Sequence, residues 1–325
     1  MKKIAVLFFS IVLLIGCKES NNKNEKILSE SSGRLNSLSI VIDNELWEGQ
    51  VGENLREKLA APVDGLPQQE PLFSLNQIPP KAFSGFAARN RTFLYIKNSQ
   101  SANFEVVKDT MAKPQTGIYI SGATPSEINK VINENTEKII QTYKKAELKE
   151  QQRRISKSLK SDQKLEETLG VSMKFPTAYR YAKTEDDFFW IRKDIKHGSM
   201  EILVYEVPMQ VIDKDTNVIG NIIKMRDSIG EQHVPGPNEG SFMITEEAYA
   251  PYLFETKIDG KFAYETKGTW EVKGAFMAGP FINYAVRDEE NDRYLVLEGF
   301  VFKPSNTKRD NIFELESILR SVKFK

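Results

Sequence analysis

Thr124-Pro125-Ser126-Glu127 opens the stretch that organises this chain. The Thr124 hydroxyl can accept from the amide three residues on, Pro125 has no amide to leave unpaired, and Glu127 can reach back. The spacing predicts one long helix over 123–160. Ile128, Val131, Ile132, Asn135, Ile139, Thr142 and Tyr143 trace its buried face. From Lys144 to Lys160 nearly every residue is polar or charged, Arg153 and Arg154 included. That half reads as a solvated bridge between two lobes, with a basic partner-binding face as the alternative reading.

Before the helix lies an N-terminal lobe, 35–122. Leu38–Ile42 is a β-branched apolar run and reads as a core strand. A helix from Glu45 to Ala61 follows, capped by Asp43 or Asn44, with Val51, Leu55 and Leu59 as its stripe. Gly49 and Gly52 flank Trp47 and read as local packing against it or as a close approach to a ligand. A loop from Pro62 to Arg91 carries five prolines and an apolar set that includes Phe73. So apolar a loop must wrap the core or line a groove. Strands follow at Thr92–Lys97, Phe104–Lys108 and Gly117–Ser121.

After the helix lies a C-terminal lobe, 161–325. Phe188–Lys193 and Met200–Val207 read as paired strands. Thr216–Ile229 reads as a helix with Gly230 as its cap. Asp259-Gly260 between Leu253–Ile258 and Lys261–Thr266 suits a type I′ hairpin turn. Gly268–Val272, Phe281–Arg287 and Arg293–Lys303 continue the sheet. A last helix, Arg309–Arg320, would be capped by Asn306 or Thr307. The expected fold class is α+β: two lobes of mainly antiparallel sheet with packed helices, joined by a long helix.

The first residues carry an address. Lys2 and Lys3 precede an apolar run closed by Leu14-Ile15-Gly16-Cys17. The pattern resembles a bacterial lipobox, with a signal peptide over 1–16 and lipid attachment at Cys17. Residues 17–34 are polar and read as a flexible tether. The apolar run is shorter than the ~20 residues a membrane span needs. The reading is a protein of the cell envelope, lipid-anchored to a membrane (the outer one), its body in the periplasm or on the cell surface. With 45 basic and 45 acidic side chains in 325 residues, the chain carries no charge footprint for nucleic acid. The partners expected are the membrane, through Cys17, and an envelope protein or glycan.

Acylation of Cys17 would consume the only cysteine. That excludes disulfides, thiol nucleophiles and Cys-based metal sites from the body. His197 and His233 are the only histidines, and no HExxH, GxSxG, Walker or GxGxxG pattern occurs. No catalytic residue, metal site or cofactor is assigned. His197 reads as an exposed turn residue; His233, before Val234-Pro235-Gly236-Pro237, is a candidate ligand residue. The acidic turn Asp288–Asp292 reads as solvated. Glu298 shares a strand face with Val296 and Phe300, so it must be ion-paired, with Arg287 or Lys273, or reach a groove. Trp47, Trp190 and Trp270 are aromatic candidates for lining a groove. The candidate ligand-binding set is therefore Glu298, Trp47, Phe73, Trp270 and His233. Two alternatives stand beside ligand binding. One is a hydrolase or lyase on an envelope polymer using Glu298 with Glu246 or Glu247. The other is a structural tether acting through Arg153 and Arg154.

Five stretches resemble one family: LWEGQVGENLREKLAAPVDGLPQQEPLFSLNQIPP (46–80), MAKPQTGIYISG (111–122), KFPTAYRYAK with FFWIRKDI (174–195), KGTWEVKGAFMAGPFINYAV (267–286), and YLVLEGFVFKPS with KRDNIFELESILRSVKFK (294–325). The chain is similar over 35–325 to the lipoprotein family known as domain of unknown function 4837. The resemblance implies a Gram-negative envelope lipoprotein anchored at Cys17. It brings no activity, cofactor or catalytic residue with it.

Overall fold

The computed structural model describes residues 27–325. The signal peptide expected over 1–16 and the lipid attachment expected at Cys17 lie outside these described residues. The α+β class holds, with helices and sheets segregated into two lobes.

In the N-terminal lobe, β1 (Ser37–Val41), β2 (Ser74–Ile78), β3 (Thr92–Asn98), β4 (Asn103–Lys108) and β5 (Thr116–Gly122) form one sheet in the order β2-β1-β3-β5-β4. This sheet departs from the mainly antiparallel expectation. β1 runs parallel to β2 and β3, and β3 parallel to β5; only β4 is antiparallel. The reason is connectivity: a helical crossover returns the chain in the same direction, and here two short helices separate β1 from β2. They are α1 (Asn44–Glu48) and α2 (Gln50–Leu59), where one continuous helix was expected. The break falls at Gly49, which is extended, and neither Asp43 nor Asn44 supplies a side-chain cap. Gly52 is forced by space: a Cβ there would lie 1.8 Å from the Trp47 carbonyl oxygen. The close approach is thus to the chain itself.

The long helix α3 spans Pro125–Ile155. Its capping box forms as the sequence dictates: Thr124 Oγ1 accepts from the Glu127 amide, and Glu127 accepts from the Ala123 amide. Ile128, Val131, Ile132, Ile139 and Tyr143 bury against the sheet with Leu38, Ile40, Leu94 and Ile118. Its second half bridges the lobes as expected, but it is only partly solvated: Lys144, Lys145, Lys149, Arg153 and Arg154 are exposed. Glu147, Glu150 and Gln151 are buried, because Arg91, just ahead of β3, folds over that turn and pairs with the acids.

The C-terminal lobe begins with α4 (Gln163–Leu169) and β6 (Val171–Ser172), followed by β7 (Arg180–Thr184), β8 (Phe188–Ile195) and β9 (Gly198–Pro208). After α5 (Val218–His233) come β10 (Phe242–Thr245), β11 (Tyr252–Ile258), β12 (Lys261–Lys273), β13 (Ala275–Asp288) and β14 (Arg293–Phe302). The lobe closes with α6 (Arg309–Leu319) and β15 (Lys323–Phe324). The antiparallel sheet runs β10-β12-β13-β14-β9-β8-β7, with β11 added on β12, and β15 pairs with β6 separately. The expected hairpin turn is present, with Asp259 and Gly260 both at positive φ.

Both faces of the large sheet are covered. Leu295, Leu297, Val301 and Ile282 pack against Leu315, Ile318 and Leu319 of α6. On the other face Val296, Phe300 and Leu203 pack with Ile222 and Met225 of α5. α5 runs past Gly230, which is not its cap: Gly230 sits against the Met243 carbonyl, where a Cβ would approach to 1.9 Å. Nor is the Asp288–Asp292 turn simply solvated. Asp288 is fully buried and accepts from Lys261, Asn291 and Arg293.

The lobes are locked through α6. Neither Asn306 nor Thr307 caps it. Its first amides donate across the lobe boundary to Glu70 of the proline-rich loop, Lys308 N to Oε1 at 2.6 Å and Arg309 N to Oε2 at 3.0 Å. Arg309 also donates to the Pro71 carbonyl at 2.8 Å, and Gln152 of α3 donates to the Ser317 carbonyl at 3.1 Å. A carboxylate on a helix N-terminus combines capping with a favourable dipole interaction. Glu70→Ala should therefore cost roughly 1–3 kcal/mol, read as a lower urea midpoint for the C-terminal lobe. An unchanged midpoint would mean the contact contributes nothing.

Candidate ligand cavity between the lobes

Where α3, α6 and the proline-rich loop meet the β11–β12 edge, they border an open cavity of about 590 Å³, within the roughly 300–1,000 Å³ usual for small-molecule sites. The loop supplies Val63, Leu66, Leu72 and Phe73; α3 supplies Gln141, Lys144, Lys145 and Leu148; α6 supplies Ile312, Phe313, Glu316 and Arg320. From the sheet come Phe254 on β11, Glu265 and Lys267 on β12, and Phe281 on β13.

The floor is an ion-pair network. Glu265 bonds Lys267 and accepts from Arg320 at 2.6 Å, and Arg320 also donates to Glu316 at 3.1 Å. Burial works against ionising Glu265, but Lys267 and Arg320 outweigh it and hold the carboxyl below the usual range. Burial likewise opposes charge on Lys267, yet Glu316 and Glu265 raise it above the usual lysine value. Arg320 is raised in the same way by Tyr284, Glu316 and Glu265. These three groups stay charged near neutrality, so the floor offers fixed polarity rather than a proton donor or acceptor poised near pH 7.

Of the residues singled out from sequence, only Phe73 lines this cavity; it is 2% exposed and meets the Tyr143 ring edge-on at 6.1 Å. Glu298 is 1% exposed and does not reach the cavity. Its partner is neither Arg287 nor Lys273 but Arg226 on α5, which donates to both oxygens at 2.8 and 2.7 Å. Asn283 adds a third bond at 2.8 Å. Trp47 stands in the other lobe under Arg56. Trp270 is buried against Phe300, its indole N–H unpartnered among the described residues. Trp190 donates to buried Glu201 at 2.7 Å. His233 ends α5, stacked on Phe188 at 4.2 Å and 2.8 Å from Glu185; His197 is an exposed turn residue at positive φ. Glu246 sits beside Glu271, whose carboxyl is raised by burial and by that neighbour; Glu247 is exposed. Arg153 and Arg154 both donate to Glu150.

The cavity residues that sequence reading missed are Glu265, Lys267, Arg320 and Phe254. Two strands and a helix bring them together from positions up to 66 apart (Phe254 to Arg320), and no local motif links them. The one signal available was position. Glu265 and Lys267 lie two apart in a strand, so they share one face.

Two family models match the chain. Residues 158–321 match the model described as "Domain of unknown function (DUF4837)". The chain belongs to the DUF4837 family. Residues 31–156 match a second model, "Domain of unknown function (DUF8532)". The resemblance read over 35–325 thus resolves into two models, and the boundary falls just after α3. No curated protein sequence matches the chain. Among solved structures, cyanobacterial PsbP (CyanoP) from Synechocystis sp. PCC 6803 aligns at TM-score 0.34 and 9% identity, over 52% of this chain and 93% of that one. The Saccharomyces cerevisiae Ran-binding protein Mog1p aligns at TM-score 0.31 and 9% identity, over 48% and 90%.

Proposed function

We propose that this DUF4837 protein is a lipid-anchored protein of the bacterial cell envelope that binds a ligand without transforming it, and that the interlobe cavity is the binding site. The observation that carries the reading is the cavity itself. It is large enough for a small molecule, both lobes wall it, and its floor charges favour one another's ionised forms. It combines apolar side chains (Val63, Leu66, Leu72, Phe73, Leu148, Phe254) with polar groups held in fixed orientation, the two ingredients of a small-molecule site. The anchor rests on the lipobox ending at Cys17, with two or more acyl chains giving stable attachment.

Two measurements test the two halves separately. Cys17→Ala should move the protein out of the membrane fraction, and continued retention would overturn the anchor. For the cavity, native mass spectrometry of protein isolated from its own envelope should find a bound small molecule. Gln141→Trp, which fills the cavity from an exposed α3 position, should lose it. Equal recovery from both forms would place the ligand elsewhere, and no bound species in either would remove the reading.

A further inference from the structure

An aromatic pair at the cavity edge and the charge balance of its lining narrow what it can hold. Tyr252 and Phe254 lie two apart on β11, so they share a face. Phe254 stands opposite Glu265 in the β11–β12 register and Tyr252 opposite Lys267, which puts both rings on the cavity side of the sheet. They are 50% and 41% exposed, parallel to within 2°, with centroids 6.4 Å apart. β11 pairs only with β12 among the described strands, so this pair of rings runs from the cavity out along an open edge. Two large aromatic side chains held parallel and exposed contribute nothing to the core.

The polar lining points the same way. Five cationic and five carboxylate side chains line the cavity, so it has no net charge to offer. Asp64, Lys144 and Glu255 stand exposed on three different walls, giving the cavity both donors and acceptors. A fatty anion would meet as many carboxylates as cations, and a purely apolar ligand would cover the ion-pair network and the exposed Asp64, Lys144 and Glu255 without bonding to any of them. A ligand that is neutral, has flat apolar faces and is rimmed with hydroxyls satisfies both features. Sugar rings have that make-up: their C–H faces stack on aromatic rings while their hydroxyls bond charged and amide groups.

We infer that the cavity and the Tyr252–Phe254 pair form one site for a neutral oligosaccharide. The inference rests on the cavity reading above and adds the ligand class. The test is titration calorimetry on the full-length protein in detergent, with maltohexaose, cellohexaose and N-acetylchitotetraose as probes, and laurate and an uncharged hexapeptide as comparisons. At least one oligosaccharide should bind. Tyr252→Ala and Phe254→Ala should each weaken it about two- to tenfold, the contribution of one aromatic contact, with circular dichroism unchanged because both side chains are exposed. Gln141→Trp should abolish it. Oligosaccharide binding indifferent to both alanine variants would overturn the site. Binding of laurate or the hexapeptide alone, lost in Gln141→Trp, would overturn the sugar assignment and leave the cavity reading standing. No binding by any probe, together with no cavity-dependent species in native mass spectrometry, would remove both.

Discussion

Glu298→Gln should destabilise the C-terminal lobe by about 3–5 kcal/mol, the penalty typical of breaking a buried ion pair from one side. The pair lies between α5 and the large sheet, both side chains 1% exposed. Arg226 meets Glu298 through two parallel bonds, also donates to Thr245 Oγ1, and stacks 3.5 Å above the centre of the Phe281 ring. An amide at 298 can accept at one oxygen only. The guanidinium, raised above its usual pKa by Glu298 although burial opposes it, would stay charged with nothing to balance it. Removing both charges is a different change. Arg226→Met with Glu298→Leu should recover most of the loss, because well-packed apolar groups often match a buried pair in stability. Urea unfolding of the three variants checks both statements. A single variant within about 1 kcal/mol of wild type would mean water reaches this pair. The result also bears on the hydrolase alternative, since a carboxylate so engaged supports the fold and has no free oxygen for a substrate.

Arg91→Met should cost the N-terminal lobe a similar amount, about 3–5 kcal/mol. Arg91 is 4% exposed and holds Glu147 through Nε at 3.1 Å and Nη2 at 2.9 Å. The same guanidinium donates to the Gly33 and Arg34 carbonyls. Without it, buried Glu147 keeps only the Asn36 amide at 2.8 Å. The effect should cross the lobe boundary, because the Asn36 side chain donates to Asp310 on α6 at 3.1 Å. Unfolding followed by one probe in each lobe should show both transitions shifted; a shift confined to the N-terminal lobe would break that link. The neighbouring Glu150 gives the cluster a pH signature. Burial pushes its carboxyl up, but Arg153, Arg154 and Arg91 outweigh this and hold it at about 2 against an ordinary 4.5. A depressed folded-state pKa contributes stability that is complete above 4.5 and lost as pH falls towards 2. Arg91→Met removes one of the three cations, so the variant should lose less additional stability than wild type between pH 7 and pH 3. An equal acid loss in both would show that Arg91 does not hold Glu150 ionised.

These interactions mark where sequence reading reached and where it stopped. The Thr124 box, the α3 core face and the Asp259-Gly260 turn were legible because each depends on residues within a few positions of one another. The caps at α1 and α6 were misread for the opposite reason. Asn306 and Thr307 have the right chemistry at the right distance, yet Glu70, 238 residues from Lys308, takes their place. The polar run after Lys144 looked solvated because its partner, Arg91, lies 56 residues from Glu147.

Three things were readable from the residues alone: the α+β class, the family, and the absence of any cysteine after Cys17. These follow from periodicity, local capping and residue inventory, which need no knowledge of neighbours in space. The parallel pairing in the first sheet, the partner of Glu298 and the cavity emerged only with the folded chain. Each depends on which distant residues share one volume, and burial changes what a side chain does. The same glutamate type is a locked core charge at 298, a cavity floor at 265 and a helix cap at 70. A charge buried in low dielectric is stable only where a partner meets it, and that partner is named by the fold.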